Sequence, residues 1–152
     1  MANPDSVAQL YLDSFSNARV AYASKVSLAT AGNGIANLAL TSGGLTNGGA
    51  TSNSGAVIIR KITATTLNGA VSSAYVTITT SNDGNASNAV VANVALSSLT
   101  APGTFQDLAI ASPYTTTVLS GSVSSALFVN VTTPSGNTNT VNFSVYGDVV
   151  SF

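Results

Sequence analysis

Between Ala56 and Gly84 the chain reads AVIIRKITATTLNGAVSSAYVTITTSNDG, and apolar and polar positions alternate along it with the period of two that marks β-strands. On one face Ile58, Ile62 and Ala64 alternate with Ile59, Lys61 and Thr63 on the other. The stretch Ala56 to Ile59 is apolar on both sides, as in a strand covered on both faces at one end. Asn68-Gly69 follows, a dipeptide suited to a type I′ turn because both central residues of that turn need positive φ. Val71 to Thr80 then reads as the returning strand of a hairpin, with Ala74, Val76 and Ile78 inward and Tyr75, Thr77 and Thr79 outward. Asn82-Asp83-Gly84 predicts the next turn.

The same pattern recurs on either side. Tyr22 to Ala29 alternates through Tyr22, Ser24, Val26 and Leu28, and Ile35 to Thr41 is a short apolar strand after the break at Gly32-Asn33-Gly34. Downstream, Ala89 to Leu96, Thr104 to Ala111 and Tyr114 to Leu119 read as strands separated by Pro102-Gly103 and Pro113. Leu127, Val129 and Val131 alternate with Phe128, Asn130 and Thr132, and Pro134-Ser135-Gly136-Asn137 predicts another hairpin. In the last strand Val141, Phe143, Val145, Gly147 and Val149 share one face, with Asn142, Ser144, Tyr146 and Asp148 on the other.

Two stretches are ambiguous. Asn3-Pro4-Asp5 is a helix-start signal, and Val7, Leu10, Tyr11, Phe15 and Ala18 follow roughly helical spacing. A strand through Leu10 to Phe15 is the rival reading. Thr41 to Gly55, rich in Gly, Ser, Thr and Asn, reads either as a linker or as an ordinary surface loop. About eight short strands punctuated by Gly, Pro and Asn specify an all-β, antiparallel β-sandwich or jelly roll with an N-terminal arm. Residues 1–55 hold the arm, the first strands and the Gly-rich loop, and 56–152 the jelly-roll core of a single domain.

Composition narrows the function classes. Charged residues make up 6% of the 152, against about 25% in ordinary soluble domains. Ser, Thr and Asn take over the wetting of the surface, which suits a member of a fixed assembly or an extracellular protein. Four basic residues, Arg19, Lys25, Arg60 and Lys61, leave a net charge of −1. That is no electrostatic footprint for nucleic acid, so none is expected as a partner. No apolar run approaches the ~18 residues of a membrane helix, and MANPDSVAQL lacks the pattern of a secretory signal.

Candidate chemistry is sparse. The chain has no His and no Cys, so the common triads, dyads and thiolate metal sites are excluded. The acids are five Asp (Asp5, Asp13, Asp83, Asp107 and Asp148), scattered in sequence and mostly at turns or strand ends. Ser81-Asn82-Asp83-Gly84-Asn85 offers oxygen ligands, but one carboxylate is too few for calcium and a β-turn is the expectation. Arg60-Lys61 is the one basic pair. In a strand its side chains point to opposite faces, either as a solvated edge or as a contact to an acidic neighbour. Asn-x-Ser/Thr sequons at Asn85, Asn130 and Asn142 are assigned no role. No catalytic residue, cofactor or metal is expected.

The run Ile58-Ile59-Arg60-Lys61-Ile62 with its Asn-Gly turn and Val/Thr-rich return strand resembles the small jelly-roll virion proteins of tailed bacteriophages. Leu127 to Val131, a polar turn and Val141 to Val149 are similar to their closing strand pair. The resemblance covers Ala56 to Phe152, and Ala2 to Gly55 lies outside it as a candidate attachment arm. It implies a non-enzymatic head decoration or cement protein on the virion, made in the host cytoplasm. Such a protein binds the major capsid protein or other virion proteins and forms a homo-oligomer, as a trimer. Interface residues are then expected at Val7, Leu10, Tyr11 and Phe15 of the arm and at Arg60 and Lys61. A tail-fibre or adhesin module that binds receptor glycans through Tyr75, Tyr114 and Tyr146 is the alternative. A shell protein is a third class, disfavoured by the missing basic arm.

Overall fold

The computed structural model describes residues 14–40, 54–71, 74–112, 115–119 and 126–151. They form nine strands: β1 (Ser14–Ser27), β2 (Gly32–Ala39), β3 (Ser54–Thr66), β4 (Tyr75–Thr79), β5 (Ala89–Ala95), β6 (Phe105–Leu108), β7 (Thr115–Leu119), β8 (Ala126–Thr133) and β9 (Thr140–Ser151). All pairings are antiparallel. One sheet has the order β1-β9-β3-β6 and the other β2-β8-β4-β5. β6 pairs with Ile62 to Thr65 of β3 and β7 with Ser54 to Ile58, so the two together occupy one strand position beside β3. Each sheet is therefore four positions wide, and the strand order is that of a jelly roll.

The pairing order corrects two turns. β3 and β4 lie in different sheets, as do β8 and β9, so neither Asn68-Gly69 nor Pro134–Asn137 closes a hairpin. Both are corners that carry the chain across the sandwich. At the first, Gly69 alone has positive φ (+145°), and Asn68 uses its side-chain oxygen to accept from Thr140 N–H at 3.0 Å. The two corners are laced together: the side-chain amides of Asn137 and Asn139 both donate to the Ala70 carbonyl at 2.8 Å. The Asn82–Gly84 turn does join two strands of one sheet, β4 and β5, and a single 3-10 turn over Ala86–Asn88 follows it.

Between the sheets lies one core, to which every strand with described side chains contributes. Val57, Ile59, Ile62, Ala64, Val141, Phe143 and Val145 face inward from one sheet, and Leu38, Val76, Ile78, Leu127, Val129 and Val131 from the other. Val20, Leu28, Leu38 and Leu40 join the same cluster, so the first strands are built into the sandwich. Each of the Val, Leu, Ile and Phe side chains stabilises the fold by about 1.5–3 kcal/mol relative to an exposed position. The inward set expected for Val71–Thr80 holds, as does the last strand's from Val141 to Val145, since Ala74, Val76, Ile78, Val141, Phe143 and Val145 are all fully buried, and the side chain of Val149 lies outside the described residues.

The start of the chain is strand where it is described. Phe15 pairs with Val149 and Ala18 with Gly147 in β1, so helical spacing does not extend through these two residues. Residues 1–13 and 41–53, which hold the first half of the arm and most of the Gly-rich loop, lie outside the described residues.

Outward positions of the second sheet depart from simple polarity. Thr77, Thr79 and Asn130 point away from the core yet are buried. β2 accounts for this, because its register with β8 slips between Gly32 and Ala36 and the Asn33-Gly34 segment reaches over the sheet. The Gly34 N–H donates to the Asn130 side-chain oxygen at 2.8 Å, and the Asn130 amide donates to Thr79 Oγ1 at 2.8 Å and the Thr77 carbonyl at 3.2 Å. Burial is tolerated there because every polar atom has a partner.

Candidate functional site

The outward face of the first sheet holds the most developed surface feature, and it originates in a β-bulge. β3 pairs Ile59 with Gly147 and Lys61 with Tyr146, which leaves Arg60 as an extra residue. A bulge resets the alternation. Val57 and Ile59 face the core before it, and Ile62 and Ala64 after it. Arg60 and Lys61 consequently both emerge on the solvent side, which corrects the expectation of opposite faces. The sequence carries the signal: two consecutive polar residues interrupt an apolar alternation whose phase differs on either side.

Both cations are matched. The Arg60 guanidinium contacts Asp148 Oδ2 of β9 through Nε and Nη2, each at 2.8 Å. Lys61 Nζ lies 3.4 Å from Asp107 Oδ2 of β6, and Thr63 donates to the other oxygen of that carboxylate at 3.0 Å. These pairs are substantially exposed, so each contributes at most about 1 kcal/mol to stability. They do more to orient their groups and to cancel charge on this face.

Beside them lies a shallow groove of about 300 Å³ lined by Lys61, Thr63, Thr65, Gly103, Phe105 and Tyr146. It runs across three adjacent strands, with Phe105 of β6 opposite Thr65 of β3, and Tyr146 of β9 opposite Lys61. Phe105 is 61% exposed, the most open large apolar side chain among the described residues. On the far side of Tyr146, Arg19 of β1 is its cross-strand partner and stacks its guanidinium over the exposed Tyr22 ring at 4.7 Å. The groove thus combines an aromatic platform with an ammonium, two hydroxyls and a phenol. It can hold a ligand.

The β4–β5 turn is the other polar cluster. Asp83 accepts from the Ser81 hydroxyl and from the Asn85 N–H at 3.0 Å. These hydrogen bonds, the Ser81 one foremost, hold its carboxyl below the ordinary carboxylate range. Asn33 donates across from β2 to the Asp83 carbonyl at 2.8 Å. The carboxylate is spent on closing the turn. Among the described residues no three His, Cys, Asp or Glu come together as a metal-binding group, and no helix is long and apolar enough to cross a membrane.

Of the residues singled out from sequence, Arg60, Lys61 and Tyr146 come together on the grooved face. Tyr75 is exposed on the opposite sheet, and Phe15 is a β1 residue paired with β9. Val7, Leu10, Tyr11 and Tyr114 lie outside the described residues. Sequence reading missed Phe105 and Tyr22 as surface aromatics. For Phe105 a signal existed, since period-two alternation puts it on the same face as Asp107 and opposite to Leu108.

No family model matches the chain, and no curated protein or solved structure is similar to it at a significant level. What the chain defines is a two-sheet, all-β sandwich with jelly-roll strand order.

Proposed function

We propose that this chain is a non-catalytic structural protein of a bacteriophage particle, a head decoration or cement protein that sits on the shell as a homo-oligomer, a trimer. Its partners are the major capsid protein and neighbouring virion proteins, and it reaches the virion after synthesis in the host cytoplasm. The observation that carries this reading is the distribution of exposed apolar groups. Tyr22 and Phe105 on one sheet, Ile35 and Tyr75 on the other and Leu67 at a corner are open on several sides of a sandwich that is poor in charge. A protein packed among several neighbours can bury such groups against them, and its scarcity of charge costs it little in a fixed assembly. Jelly rolls recur in capsid and lectin domains, which adds support by analogy only.

The test is attachment to particles. Purified protein added to particles lacking it should co-sediment in a fixed, saturable number of copies and raise their resistance to heat. The arm is tested by removing residues 2–13, which leaves the described strand β1 (Ser14–Ser27) in the chain. Unchanged particle binding by that truncation removes the arm from the attachment surface, and failure of the full chain to bind any shell overturns the reading.

The groove supports a second reading, a receptor- or glycan-binding module of a tail fibre or adhesin. Location separates the two: regular copies on the head support the first, and copies confined to the tail the second.

A further inference from the structure

We infer that the groove between Phe105 and Tyr146 is a binding site for a neutral carbohydrate, one terminal saccharide unit lying against the Phe105 ring. This deepens the second reading above, and it stands on the groove alone, wherever on a particle the protein sits.

Three features select the ligand. The first is the platform. Phe105 projects from the short strand β6 with 61% of its surface open, and Tyr146 presents a half-buried ring two strands away. An exposed ring offers an apolar face that a sugar's C–H face covers with little loss of solvation elsewhere. The second is the polar surround. Lys61 supplies an ammonium, Thr63 and Thr65 hydroxyls, Tyr146 a phenol, and Asp107 a carboxylate fixed by Lys61 and Thr63. Donors and acceptors around one apolar face match a ligand with hydroxyls around one apolar face, which is the build of a sugar ring.

The third is charge. The groove's one cation, Lys61, is balanced by Asp107, and Arg19 beyond Tyr146 lies over the Tyr22 ring, so no unpaired cation lines the groove to attract phosphate, sulfate or nucleic acid. Neutral ligands remain. The volume, about 300 Å³, is at the lower limit for small-molecule sites and suits the end of a glycan chain. An apolar peptide helix needs a longer and drier groove with anchors every three to four residues.

The experiment uses the full chain on a printed array of glucose-, galactose- and N-acetylhexosamine-terminated oligosaccharides, with sialylated and sulfated ones for comparison, followed by calorimetric titration of the best binder. Saturable binding to a neutral oligosaccharide is expected, weakened by about tenfold or more in Phe105→Ala and unchanged in Tyr75→Ala on the opposite sheet. Phe105 is exposed on a short strand, so its variant should keep the parent unfolding midpoint, and Asp107→Asn offers a second probe of the same rim. No binding to any neutral oligosaccharide at about 10 mM overturns the inference, as does binding that Phe105→Ala leaves intact. Binding confined to acidic glycans and abolished by salt overturns it in favour of an ionic contact. Dissociation of an oligomer on Phe105→Ala, seen by sedimentation and with no effect on glycan, gives the groove to a second copy of the chain. Particle attachment is scored separately, so loss of glycan binding and failure of the decoration reading are distinguishable.

Discussion

Gly147 is held to glycine by a close approach. It sits in the middle strand β9, paired with Ile59 on one side and Ala18 on the other. The bulge at Arg60 brings the Ile58 carbonyl so near that a Cβ at Gly147 would collide with its oxygen and lie 3.1 Å from its carbon. Neither atom can yield, since both belong to backbone. Gly147→Ala should therefore cost about 2–3 kcal/mol, read as a lower urea midpoint with unchanged slope. Gly136, with nothing within 4 Å of an added Cβ, is the control and should shift by less than about 0.5 kcal/mol on the same change. Asn130 makes the complementary point for a polar group. Asn130→Ala leaves the Gly34 N–H without its acceptor and removes the donor to Thr79 Oγ1, whose own bond to the Ser81 carbonyl remains, at a cost of about 1–3 kcal/mol. Asp83 adds a dependence on pH. Its folded pKa is depressed by the Ser81 and Asn85 hydrogen bonds, so its contribution is present above the unfolded value and lost as pH falls through the folded one. Asp83→Asn keeps the acceptor oxygen and removes the charge. The stability gap between this variant and the parent should be open at neutral pH and close in acid, and a gap that widens in acid would contradict the assignment.

At the scale of the element, the alternation in the sequence located most strands but not their neighbours. Period-two patterning reports which two faces a strand has, and Phe143 or Leu127 could be assigned to the core on that basis alone. It carries no information on the sheet a strand joins. Asn68-Gly69 reverses the chain in a hairpin and in an inter-sheet corner alike, and what distinguishes them here is the Asn68 contact to Thr140, 72 residues away. The site was legible to the same degree. Lys61 and Tyr146 could be read as outward residues, but their meeting with Phe105 depends on the order β9-β3-β6, which no local pattern encodes. The bulge is the element-level feature that creates the grooved face, and it depends on residue count more than on side chain. Arg60→Ala removes only an exposed ion pair and should cost about 1 kcal/mol or less. Deleting Arg60 instead restores strict alternation, with Val57, Ile59, Ile62 and Ala64 on one face and Lys61 still opposite Tyr146. Both variants should therefore keep a cooperative thermal transition, and its loss in the deletion alone would show that the bend made by the bulge is itself needed for the fold. β1 uses the same device defensively. Its register with β9 slips at three places, and an edge strand so bulged is a poor template for unwanted pairing with another chain.

The whole molecule combines a jelly-roll core with a surface that has little charge to offer any partner. Four basic and five acidic residues leave a net charge of −1, and two of the cations are already held by Asp107 and Asp148. Long-range steering and ionic attachment both need unbalanced charge, and both are screened once the Debye length falls to a few ångströms. On the proposed decoration role, contacts through Tyr22, Phe105, Ile35, Tyr75 and Leu67 would not weaken with salt, because apolar burial is little affected by sodium chloride. Raising the salt from about 0.05 M to about 0.5 M should accordingly leave the unfolding midpoint of the free protein unchanged within about 0.5 kcal/mol. It should also leave the number of copies on a shell and their rate of loss unchanged, measured by sedimentation of decorated particles. Release of the protein across that range would mean that ionic contacts hold it. The attachment surface would then have to be sought around Arg19, Lys25 and the Arg60–Lys61 pair, and the exposed aromatic groups would no longer account for its place in an assembly.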